Sequence, residues 1–165
     1  MDKSGTNMDK IGPLPTESLL SKQVSDTRYF FLNLAPATVG RTMSVALGGR
    51  ERCNPDYEIR RRAFSYYGFE YVAEGAGEIT LDGTRSVLRA GSVLAYTPST
   101  RCEIRTDPRR PMLKYFVCLA GLGAASRLRK AGVGPGTVRT LFAHAEIHGL
   151  MDDLVREGQR TSALA

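Results

Sequence analysis

Residues 68–83, GFEYVAEGAGEITLDG, constrain this chain more than any other stretch. The run Tyr71 to Ala73 favours a strand, and Glu74, Gly75, Ala76 and Gly77 punctuate it. Glu78 to Leu81 then alternates polar and apolar residues before Asp82-Gly83. That dipeptide is a strong hairpin signal, because both central residues of a type I′ turn need φ > 0. The expected order is strand, tight turn, strand, second tight turn. A second cluster of the same character, LRAGSVLAYTP, occupies 88–98, where a glycine turn feeds an apolar run that ends in proline.

A chain of 165 residues holds one domain with a real core and leaves no room for two of ordinary size. No apolar run approaches the ~20 residues that span a bilayer, and the start lacks the basic-then-apolar pattern of a secretory signal. Cys53, Cys102 and Cys118 are scattered, odd in number and free of CxxC spacing, which points to reduced thiols in a cytoplasm. The net charge of +6 is compatible with a polyanionic partner but equally with plain solubility.

Taken in order, residues 1–27 read as a flexible arm broken by Gly12, Pro13 and Pro15. Structure is expected from Arg28, with a barrel over 28–120. A strand over 38–47 is closed by Gly48-Gly49, and 50–56 form a charged loop. The strand 57–64 puts Glu58, Arg60, Arg62 and Phe64 on one face and Tyr57, Ile59, Arg61 and Ala63 on the other. Neither face is cleanly apolar, so an arginine here is either solvated or aimed into a polar pocket. In the apolar run 112–120 Lys114 is the lone charge and shares a face with Phe116 and Cys118. It points either into the barrel, where it needs a counter-charge, or outward. At Gly121 the period changes from two to 3.6, opening a helical segment over 121–158. A short helix covers 122–130. A longer one, capped by Thr137, carries the stripe Val138, Leu141, Phe142, Ala145, Ile147, Leu150, Met151, Leu154 and Val155 until Gly158 ends it. The stripe needs a partner surface, either the barrel's flank or a second subunit. Residues 159–165 read as a frayed tail.

Little here is arranged for catalysis. Neither histidine lies in the β region, so no Ser-His-Asp or Cys-His pattern forms, and the glycine-rich segments lack the Lys-Ser/Thr of a phosphate loop. His144 and His148 lie four apart on the last helix, a spacing that suits zinc but more often marks a solvated face.

The two glycine-turn clusters resemble the two sequence blocks of a cupin, a small jelly-roll β-barrel. Cupin enzymes hold a metal with three histidines and a glutamate. Counting from the two blocks, those positions fall near Arg62 and Phe64 and at Gly68 and Cys102, none a good match. Glu70 stands in only by a register slip. No metal or other cofactor is therefore expected.

The sequence further resembles the N-terminal sensing domain of AraC-type transcription regulators. The likeness rests on RYFFLNL (28–34), CNPDYEIR (53–60), YGFEYVAEGAG (67–77), Leu88 to Gly91, Tyr96 to Pro98, and PMLKYF (111–116). It implies a mainly β fold, a cupin-like jelly-roll barrel followed by two C-terminal α-helices. It also implies a small-molecule effector in a metal-free barrel, an arm that can close over it, and a homodimer made by the C-terminal helix. DNA would be read only by a helix-turn-helix domain C-terminal to, and absent from, this chain. Carried over, the ligand positions are Arg60, Cys102, Ile104, Lys114 and Phe116. The dimer positions on the helical stripe are Leu141, Ile147, Leu150, Met151 and Leu154. Two cations in one barrel favour an anionic or polyhydroxyl ligand. The expected function is sensing and dimerisation without catalysis or membrane attachment. The alternative is a stand-alone metal-dependent cupin enzyme such as a sugar isomerase.

Overall fold

The computed structural model describes residues 20–34 and 42–162. They build two antiparallel sheets packed face to face. The larger runs in the order β1 (Val24–Phe31), β2 (Ser44–Cys53), β9 (Leu113–Ala120), β4 (Tyr67–Glu74), β7 (Ser92–Tyr96) and β10 (Val138–Thr140). The smaller runs β3 (Glu58–Arg61), β8 (Cys102–Thr106), β5 (Ala76–Leu81) and β6 (Thr84–Arg89). Helices α1 (Ala124–Lys130) and α2 (Ala145–Ser162) follow the ninth strand.

The opening stretch behaves as its residues dictate. Asp82 and Gly83 take φ of 46° and 86° and turn β5 into β6, with Leu81 facing Thr84. The earlier glycine turn makes no hairpin. Gly75 (φ 79°) carries the chain from the large sheet to the small one, and a Cβ there would lie 2.3 Å from the Pro111 carbonyl.

Two apolar clusters lie on either side of the large sheet. The inner one fills the space between the sheets with Tyr57, Phe64, Ile79, Leu94, Tyr96, Ile104, Met112 and Phe116. The outer one joins Phe30, Tyr71, Tyr115 and Val117 to Met151 and Val155 of α2. Polar clasps finish that seam: Tyr71 Oη lies 2.5 Å from His144 Nδ1, and Tyr115 Oη donates to Asp152 Oδ1 at 2.6 Å. His148 Nε2 is 3.1 Å from the same Tyr115 oxygen, so the two histidines belong to a packed interface rather than a solvated face.

Five local expectations change. Gly48-Gly49 does not close a strand but lies inside β2, because aromatic rings cover both residues. A Cβ on Gly48 would meet Phe30 Cζ at 2.7 Å, and one on Gly49 would meet Tyr29 Cδ1 at 2.6 Å. The expected charged loop therefore begins as strand, through Cys53. Val138–Thr140 extend the large sheet beside β7 instead of opening a helix, which starts only at Ala145. The helix also runs through Gly158 to Ser162, so 159–162 are not a frayed end. Of the expected arm, 1–19 lie outside the described residues, while Val24 onward is already strand.

Candidate functional site

The large sheet places three charges side by side in the barrel. Glu51 on β2 stands directly opposite Lys114 on β9, and Glu70 comes from β4 on the other side. Lys114 Nζ lies 3.2 Å from Glu51 Oε2 and 3.0 Å from Glu70 Oε2, and all three side chains are buried. An unpaired ammonium in such a place is expensive, which explains why both neighbouring strands supply a carboxylate. Tyr29 Oη donates to Glu51 Oε1 at 2.9 Å, and Tyr96 Oη to Glu70 Oε1 at 2.9 Å. Tyr57 and Phe116 place their ring centroids 5.4 Å from the ammonium.

The chain reaches the N-terminal segment as well. Ser21 Oγ donates to Glu51 Oε2 at 3.2 Å, and Leu20 packs on the inner cluster. A continuous polar path thus runs Ser21–Glu51–Lys114–Glu70–Tyr96. Burial alone would raise the Glu51 carboxyl, but Lys114 chiefly, with Tyr29 and Ser21, brings it below its ordinary value. Burial likewise works against the Lys114 charge, and Glu51 and Glu70 reverse it, holding the ammonium well above the usual lysine value.

Of the expected ligand positions, Cys102, Ile104, Lys114 and Phe116 all belong to the buried interior. Arg60 does not. Its side chain is 65% exposed and pairs with Glu58 at 2.8 Å on the outside of the small sheet. Arg61 takes the inward position, following Tyr57 and Ile59 of the same face, with its guanidinium carbon 4.3 Å from the Phe64 ring centroid. Of the two open orientations Lys114 takes the inward one, and the counter-charge it needs there comes from two carboxylates. Sequence reasoning missed Glu51, Arg61, Tyr29 and Ser21, and it noted Glu70 only as a stand-in.

Two openings flank Arg61. One, of about 440 Å³, is lined by Arg60, Arg61, Arg62, Arg101 and Glu103. The other, of about 260 Å³, lies between Leu20–Gln23 and the β3 residues.

The interior donor set does not fit a divalent metal. An ammonium occupies the space between the carboxylates. Burial pushes the Cys53, Cys102 and Cys118 thiols up to about 12, whereas a thiol must ionise to ligate. The glutamate position of the metal-binding pattern is Gly68, over which the Tyr96 ring lies so closely that a Cβ would fall 2.1 Å from its Cζ. Among the described residues no three His, Cys, Asp or Glu side chains gather as metal ligands.

On the helix, Met151 is buried against its own barrel, and Ile147 and Leu154 are partly so. Leu150 (62% exposed) and Leu141 remain at the surface. Of the stripe, Ile147, Met151, Leu154 and Val155 thus pack on the barrel's flank, whereas Leu141, Phe142, Ala145 and Leu150 are exposed. Among the described residues no helix is long and apolar enough to cross a membrane.

The sequence profile of the AraC-like ligand binding domain matches residues 44–160. No curated protein sequence matches. Among solved structures, YhaK from Escherichia coli aligns at 14% identity and TM-score 0.50, over 70% of this chain and 50% of that one. The cupin domain of Schizosaccharomyces pombe Cnp3 aligns at 12% and 0.47, over 72% and 79% of the two chains. A cupin 2 conserved barrel domain protein from Salinispora arenicola aligns at 19% and 0.41, over 76% and 99%. At such identities the likeness is one of fold alone, a mainly β architecture of antiparallel sheets with two helices.

Proposed function

The chain belongs to the family of AraC-like ligand binding domains, and on that premise we propose that it senses a small polar effector and takes no catalytic part itself. The observation that carries this reading is the polar path from Ser21 to Tyr96. It joins the barrel interior to the segment ahead of β1 through hydrogen bonds that a ligand hydroxyl can replace. An effector that bonds Glu51 better than Ser21 does releases or re-seats residues 20–23. A ligand shifts such an equilibrium only by its differential affinity for the two arrangements. A homodimer through the α2 face that carries Leu150, and a DNA-reading helix-turn-helix domain elsewhere in the protein, complete the proposed regulator. Cells need no enzyme activity from this chain for that role.

The test is a thermal-shift screen of neutral and acidic polar metabolites, followed by amide exchange of residues 20–23 with each hit. A binder that changes exchange in that segment is the expected result. Binders that leave it untouched, or no binder at all, would count against sensing through this path.

A further inference from the structure

We propose that the cleft at the end of the β3–β8 ladder binds an oxyanion group of the effector, a phosphate or a carboxylate, through Arg61, Arg62 and Arg101. The inference rests on the sensing role and names the chemistry sensed. Four guanidiniums and one carboxylate line the cleft of about 440 Å³. Like charges gathered at one opening repel, and a bound anion removes that repulsion. The protein's own carboxylates offset it only in part. Glu103 lines the cleft, Glu70 attracts Arg61 from a distance, and Asp82 accepts from the Arg101 backbone N–H, but none forms an ion pair with Arg61, Arg62 or Arg101. Glu58 is taken by Arg60 at 2.8 Å and, through the same oxygen, by Arg105 at 2.9 Å. Among the described residues no ion pair engages Arg61, Arg62 or Arg101.

Their placement is not that of a basic face spread along a strand. The β3–β8 ladder ends at the Arg61–Cys102 pair, and Arg62 and Arg101 are the next residue on each chain. Like charges facing each other across paired strands are destabilising. Arg61 is half-buried with its plane against Phe64, a posture that leaves the N–H edge of the fork for a ligand. Such forks match the geometry of phosphate and carboxylate oxygens. Deeper in, Glu51 and Glu70 already neutralise Lys114 and repel a second anion. The anionic group is therefore held at the cleft, by the arginines that line it.

The test titrates inorganic phosphate and, separately, succinate into isotope-labelled protein at ionic strength held constant with sodium chloride. Amide shifts of residues 60–62 and 101–103 are followed. Saturable shifts at millimolar concentration are expected, with phosphate preference pointing to a phosphate ester and succinate preference to an acid. R62A and R101A change exposed side chains, so the fold is not at risk, and each should weaken binding about tenfold. Unsaturable shifts up to about 50 mM, or variants that bind like the parent, overturn the proposal. A sorbitol arm separates the two readings. Sorbitol binding without anion binding sinks the oxyanion site and leaves sensing intact. Anion binding that never alters residues 20–23 keeps the site and sinks the sensing path.

Discussion

Replacing Lys114 by methionine would leave Glu51 and Glu70 sharing one dry space with no cation between them. Breaking a buried pair by removing one partner costs about 3–5 kcal/mol, far more than the pair contributes over an apolar replacement. Urea denaturation of K114M should show a loss of about that size, and adding E51Q and E70Q should return most of it. A K114M protein as stable as the parent would mean that the three charges do not meet. Strand alternation made the Lys114 face legible, since it runs with Phe116 and Cys118, but the side of the sheet that face occupies depends on Glu51 and Glu70, distant in the chain. Arg61 carried a readable signal that the family comparison overrode. Tyr57 and Ile59 make its face the more apolar one, and that face turns inward.

At the scale of elements, turns with special backbone needs were readable and close ring-on-glycine contacts were not. Asp82-Gly83 announces itself because its φ values exclude most residues. Gly48, Gly49 and Gly158 look like stops in the sequence, yet each is a space that an aromatic ring fills. Val138–Thr140 joined the helix stripe because a three-residue strand is too short to show its own period. Gly158 yields a direct test. In an isolated helix, alanine in place of glycine gains up to ~1 kcal/mol. Here the new Cβ would sit 2.3 Å from Phe30 Cγ, at the seam between α2 and β1. G158A should therefore destabilise by about 1–3 kcal/mol, the usual cost of overpacking. A stabilised variant would show that α2 does not lie on Phe30.

For the whole molecule, the buried titratable groups define a stability window in pH. The folded Glu51 value is lowered, so its contribution is present above the unfolded carboxyl value of about 4.3 and is lost as pH falls through the folded value. The three thiols shift the other way, to about 12, chiefly because burial disfavours the thiolate. Their contribution is whole below the unfolded thiol value of about 8.5 and drains away as pH rises from there toward the folded value. Lys114, also raised, holds its contribution below about 10.4 and loses it only as pH climbs through its own folded value. Stability should thus be level between about pH 5 and 8.5, with an acid limb where Glu51 and the surface Glu58 and Asp107 take up protons on unfolding, and an alkaline limb where three thiols release them. Urea midpoints measured from pH 3.5 to 10 trace both limbs. Changing all three cysteines to alanine should flatten the stretch from about pH 8.5 to 10 without moving the acid limb, even though the variant starts from lower stability. An alkaline limb that persists in that variant would assign it to the tyrosines and Lys114 instead, and the thiols would then be less deeply shielded than their burial implies.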